Sequence, residues 1–134
     1  MKICVTEYKN NPLYPRIVNA ASECLLESNL IEPINILVKL GYLKIENLQR
    51  WKNGEIDFLE RVINCNLSKA GTTLRILRYH AHDQNLIPRI LLYKHKGRYL
   101  RFSKSGEEKI EKAYSTALLR NGIFTKSISE KKFE

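Results

Sequence analysis

Lys94-His95-Lys96-Gly97-Arg98 sets three cations around a glycine turn, and Arg101 and Lys104 follow within one short segment. Groups of like charge brought this close suit the binding of phosphates or another polyanion. From Arg61 to Lys104 the chain carries ten Lys and Arg against one acid, Asp83. Just upstream, placing residues 100° apart on a helix puts Lys69, Thr72, Thr73, Ile76 and Tyr79 on one face, with Arg75 and Arg78 on its flanks. Threonine hydroxyls and a lysine amine can meet phosphates or base edges. No Asn or Gln lies between Lys69 and Tyr79, so two-point reading of adenine is not expected from this face. Ile76 and Tyr79 leave two readings open: contact with thymine methyls, or packing against another element or subunit. On the second arm of the turn, Tyr99 and Arg101 share a strand face as a stacking and phosphate-binding pair.

Other chemistries find little support. His80-x-His82 sends its rings to divergent sides of a helix, unlike a metal-binding pair one turn apart. Glu107, Glu108 and Glu111 suit the positive start of a helix better than a nuclease metal site. Zinc-protease, phosphate-loop, nucleophile-elbow and dinucleotide motifs are missing. Cys4, Cys24 and Cys65 are widely spaced and read as free thiols. No catalytic residue, metal or cofactor is expected.

The balance of charge points the same way. Net charge is +9 over 134 residues. Residues 1–60 carry seven basic and eight acidic groups, whereas residues 61–134 carry sixteen and six. Basicity confined to one half suggests nucleic acid, another polyanion or an acidic protein partner. No apolar run approaches the roughly 18 residues that span a bilayer, so no membrane association is expected. Charges follow too soon after Met1 for a signal peptide, and a cytoplasmic location is expected.

The elements that must position these residues follow from periodicity and punctuation. Residues 2–8 alternate as a short strand. Helices are expected over 16–28, from Pro33 to the stop at Gly41, and over Ile45–Lys52 with Trp51 facing inward. Glu55 to Asn64 fits another, burying Phe58, Leu59, Val62 and Ile63. Ser68 is the expected cap of a helix to about Asp83, with Leu67, Ala70, Leu74, Leu77 and Ala81 inward. Leu86–Tyr93 and Arg98–Phe102 read as the arms of a hairpin, with Pro88 at an edge or strand start. Ser105-Gly106-Glu107-Glu108 reads as a capping box opening a helix to about Arg120. The expected fold class is mainly α with a small β-hairpin (α+β). Residues 1–122 are expected to form a single domain with an N-terminal helical extension, and residues 123–134 a flexible tail.

This order resembles the winged helix-turn-helix superfamily over residues 33–120, so the expected single domain is winged-helix-like. The matching segments are Asn66 to Leu74 in the second helix, Leu86-Ile87 after it, and Leu100 to Gly106 leading into the last helix. The resemblance implies double-stranded DNA as ligand, with the second helix in the major groove and the hairpin on the backbone. Lys69, Thr72, Thr73, Arg75 and Arg78 would serve the helix. Lys94, Lys96, Arg98, Arg101 and Lys104 would serve the wing. Many such proteins are regulators and dimerise, here through the terminal helices. Trp51 to Gly54, Leu59 to Val62, Asn66 to Lys69 and Leu100 to Gly106 also resemble an uncharacterised bacterial protein family, which implies a bacterial or phage setting. Two alternatives remain: a module binding an acidic protein through Ile76 and Tyr79, and an RNA binder or small nuclease.

Overall fold

The computed structural model describes residues 7–120. Apolar residues three and four apart build the helices, and each helix buries the face they form. α1 spans Tyr14–Ser28 and buries Ile17, Ala20, Ala21 and Cys24. Pro15 sits in its first turn, where an N–H has no intrahelical partner to lose. α2 (Pro33–Lys39) and α3 (Ile45–Lys52) follow, and Trp51 near the end of α3 is wholly buried. α4 (Leu67–Asp83) is the longest helix described and packs against α1, α2 and α5 (Glu108–Ser115).

Two small antiparallel sheets complete an α+β architecture. β1 (Leu30–Ile31), β2 (Ile87–Ile90) and β5 (Thr116–Leu119) form one, in the order β1-β5-β2. Ile87 lies opposite Leu119, and Ile90 opposite Thr116. β3 (Lys94–His95) and β4 (Arg98–Tyr99) form a separate ribbon. Among the described residues no helix is long and apolar enough to cross a membrane.

Several expected elements take another form. Glu55–Asn64 is not a helix; only Leu59–Val62 make a 3-10 turn. The Leu59 and Glu60 amides donate instead to the carbonyls of Arg101 and Phe102, at 3.1 and 2.9 Å. These tertiary bonds outcompete the local ladder. The cap of α4 is Asn66, whose Oδ1 accepts from the Lys69 amide at 2.7 Å, so Ser68 lies inside the first turn. Leu67 is correspondingly half-exposed rather than inward.

The expected hairpin of Leu86–Tyr93 with Arg98–Phe102 shrinks to the β3–β4 ribbon, because β2 pairs with β5. The helix expected to reach Arg120 ends at Ser115, and the chain continues at once as β5. Ala117, Leu118 and Leu119 are all buried, and a run buried on both faces of a sheet shows no period that tells strand from helix. The capping box does not close: α5 starts after Glu107 with no side-chain cap. Of the expected strand 2–8, Tyr8 lies in a 3-10 turn (Tyr8–Asn10) and residues 2–6 lie outside the described residues, as do residues 121–134.

Candidate nucleic-acid interface

The β3–β4 ribbon turns over two residues, Lys96 at φ 51° and Gly97 at φ 80°. Two successive positive φ angles give the type I′ turn that matches the twist of a hairpin. Glycine adopts this conformation freely; a lysine does not, because its Cβ crowds the following carbonyl. Behind the tip, His95 is half-buried against the end of α3. A Cβ on Gly54 would stand 2.9 Å from its Cδ2, so the bare glycine is what lets the ring seat. On the opposite side, Lys94 faces Tyr99 across the ribbon, with its ammonium 4.5 Å from the ring centre. Tyr99, which is 64% exposed, thus pairs with Lys94 and not with Arg101.

The segment leaving the ribbon is held by several contacts. The Trp51 indole donates to the Arg101 carbonyl at 2.7 Å, and Trp51, Tyr93, Phe102 and Tyr114 form a chain of ring contacts 5.0–5.7 Å apart. Glu111 accepts from the Phe102 amide, the Ser103 amide and the Ser103 hydroxyl, at 3.1, 2.7 and 2.6 Å. Glu60 accepts from the Lys104 amide and the Tyr114 hydroxyl, at 3.0 and 2.9 Å. The Tyr93 hydroxyl donates to Glu32 at 2.5 Å. Burial, and then the facing carboxylates, push the Tyr93 and Tyr114 phenols far up. Both remain neutral donors at any physiological pH. Charged acceptors make these bonds about twice as strong as neutral ones.

The ten cations and hydroxyls singled out by spacing therefore separate. Lys94, Lys96 and Arg98 are exposed on the ribbon, and none has a carboxylate partner among the described residues. Arg101 folds its guanidinium back on the carbonyls of Ser103 and Lys104 and is committed to the fold. Lys104 is exposed next to it. On α4, Lys69 is exposed with its ammonium 5.1 Å from the Tyr42 ring, while Thr72 and Arg75 are half-buried. Arg78 is exposed over Tyr79, 5.6 Å from the ring centre.

Thr73 and Ile76, expected on the wet face, are 0% exposed, and Tyr79 is half-buried with its ring 5.6 Å from that of Tyr8. The Thr73 hydroxyl donates to the Lys69 carbonyl one turn back. α4 is covered on several sides, so its apolar stripe marks only one of its buried faces. Thr73, Ile76 and Tyr79 are not a free surface for base edges or for a partner. Besides Leu26 at 84% and Ile45 at 50%, two exposed apolar residues stand close before the ribbon, Ile90 at 49% and Leu92 at 62%, on β2 and just after it. Spacing missed them because a mostly apolar run does not reveal which members face outward.

The other titratable groups sit in packing positions. His80 is half-buried beside Tyr14 while His82 is exposed, and burial lowers the His80 imidazole. Burial pushes the Cys24 thiol up to about 11 and raises Cys65 as well, which keeps both unreactive near neutrality. Among the described residues no cluster of three His, Cys, Asp or Glu is placed to hold a metal ion. Comparison of the chain with family models, with curated proteins and with solved structures finds no match.

Proposed function

We propose that the protein is a non-enzymatic nucleic-acid-binding protein that grips the phosphate backbone with its β3–β4 ribbon. One observation carries this reading: Lys94, Lys96 and Arg98 are exposed and uncompensated on a short ribbon, and Lys96 holds a left-handed backbone to sit at the tip. Acids elsewhere take the cations near them, as Glu23 and Glu27 take Lys39. Among the described residues no carboxylate pairs with Lys96 or Arg98 at the tip. Phosphates would. Lys69 and Thr72 at the head of α4 and Lys104 beyond the ribbon are further cationic and hydroxyl groups within this reading.

The winged helix-turn-helix reading belongs to the same proposal. Its support is the order α3, 3-10 turn, α4, β2, ribbon. Its mechanism shifts, however, from helix insertion to the wing, since Thr73 and Ile76 face inward. A small bacterial or phage regulator is the setting that the resemblance suggests.

Fluorescence anisotropy with labelled 20-mers tests the reading. With three to five phosphate contacts, affinity should fall roughly 50- to 500-fold between 50 and 200 mM salt. The double variant Lys96→Glu, Arg98→Glu should lose binding at moderate salt. Undiminished binding by that variant sinks the ribbon assignment.

A second reading, an acidic protein partner, rests on Ile90 and Leu92, which stand exposed beside Lys94. Exposed apolar side chains next to a cation fit a hot spot with a charged rim. Leu92→Glu should then abolish capture of an acidic partner while leaving nucleic-acid binding through the tip only modestly weakened.

A further inference from the structure

We propose that the nucleic acid held by this ribbon is single-stranded, with an unpaired base stacking on Tyr99 while the neighbouring cations hold its phosphates. The inference rests on the nucleic-acid reading above and specifies which form of the polymer is bound. Three observations carry it. First, the α4 residues expected to read a duplex groove are partly withdrawn: Thr73 and Ile76 are sealed in the core and Tyr79 is half-buried, while Lys69 and Arg78 stay exposed. The β3–β4 ribbon, two residues per strand, sets the exposed Lys94, Lys96 and Arg98 beside an exposed aromatic ring.

Second, the ribbon sorts its side chains into two faces. His95 and Arg98 oppose each other on one, with His95 seated against Gly54. Lys94 and Tyr99 oppose each other on the other. Exposure alternates on the approach to the ribbon: Leu91 is buried, Leu92 exposed, Tyr93 half-buried and Lys94 exposed. Leu92, Lys94 and Tyr99 therefore lie on the outward side; Lys94 stands over one face of the Tyr99 ring, and the residue remains 64% exposed. An aromatic ring on a basic surface has little to bind on a duplex, whose paired bases offer only their edges. Unpaired bases offer their faces, and every base has one.

Third, the charge is placed to serve the stack. The Lys94 ammonium is 4.5 Å from the Tyr99 ring centre, which fixes the ring and puts a cation within reach of the phosphate next to a stacked base. Lys96 at the tip extends the cationic track, and Arg98 adds positive charge from the other face of the ribbon. Aromatic and basic groups alternating along one short surface are the pattern by which single strands are bound without strong sequence preference. Ribose and deoxyribose strands share this chemistry.

The test is competition on the full chain by fluorescence anisotropy, at constant moderate salt, with oligo(dT), oligo(U) and a random duplex of equal length. The expected result is that at least one single strand binds tenfold or more tightly than the duplex; whichever sugar binds better identifies the source. Tyr99→Ala should weaken single-strand binding roughly 5- to 100-fold and change duplex binding less than twofold. Tyr99→Phe should restore the wild-type value, because stacking needs the ring and not the hydroxyl. Two results would overturn the inference and leave the ribbon as a nucleic-acid contact: duplex bound as tightly as either single strand, or Tyr99→Ala weakening both forms alike. Absence of binding to all three polymers by the wild-type chain would overturn this inference and the underlying reading together.

Discussion

The indole Nε1 of Trp51 donates to the carbonyl of Arg101 at 2.7 Å, across fifty residues of sequence. That bond joins the end of α3 to the segment emerging from the basic ribbon, and the same carbonyl accepts the Leu59 amide at 3.1 Å. The chain's single tryptophan is thus a structural peg beneath the candidate interface, not part of it. Its role is to keep the ribbon at a fixed angle to the body.

Trp51→Phe is expected to cost about 2–3 kcal/mol, combining a lost hydrogen bond with the smaller ring's cavity. Urea denaturation followed by circular dichroism measures it, since the variant lacks the fluorescent reporter. A cost below about 0.5 kcal/mol would mean that the peg is not bearing on stability.

Lys96→Asn should separate stability from binding. Asparagine tolerates the left-handed region better than lysine, so the variant should gain about 0.5–1 kcal/mol of stability. It should also bind nucleic acid more weakly, with the salt slope reduced by about one ion. A variant that is both more stable and equally tight in binding would show that Lys96 sits at the tip for no reason connected with phosphate.

Stability should decline on mild acidification through His80. Desolvation lowers its folded-state value below the ordinary 6.5; Asp83 opposes this shift and Lys9 assists it. Below 6.5 the unfolded chain therefore takes up a proton that the folded chain resists. The stability present above 6.5 is lost as pH falls from there through the lowered folded value. The urea midpoint should be flat from pH 7 to 8 and drop towards pH 5. His80→Gln should flatten the part of that drop owed to this residue. An identical pH profile in the variant assigns the drop to other groups.

What local chemistry decides was legible in the residues. Pro15, Pro33 and the spacings of Ile17–Cys24 and Ala70–Ala81 announce helices where helices stand, because capping, proline geometry and a 3.6-residue period act within a few neighbours. The glycine turn at Gly97 and the cations around it were equally plain. The α+β class and the basic ribbon follow from these local signals.

Long-range pairing decided the rest. Whether Leu86–Tyr93 meets Arg98–Phe102 or the segment after α5 depends on partners that neither segment names, and β5 won by offering an apolar run to bury on both faces. Thr73 and Ile76 look like a surface on a helical wheel, but three helices close over α4, and no single-helix period counts its neighbours. Arg101 was legible as a cation, yet only the turn at Ser103–Lys104 shows it spent on carbonyls. The sequence by itself determined that the second half of the chain would present positive charge on a turn. Only the tertiary structure decided which of those charges are left free, because a charge is free or spent according to what folds against it.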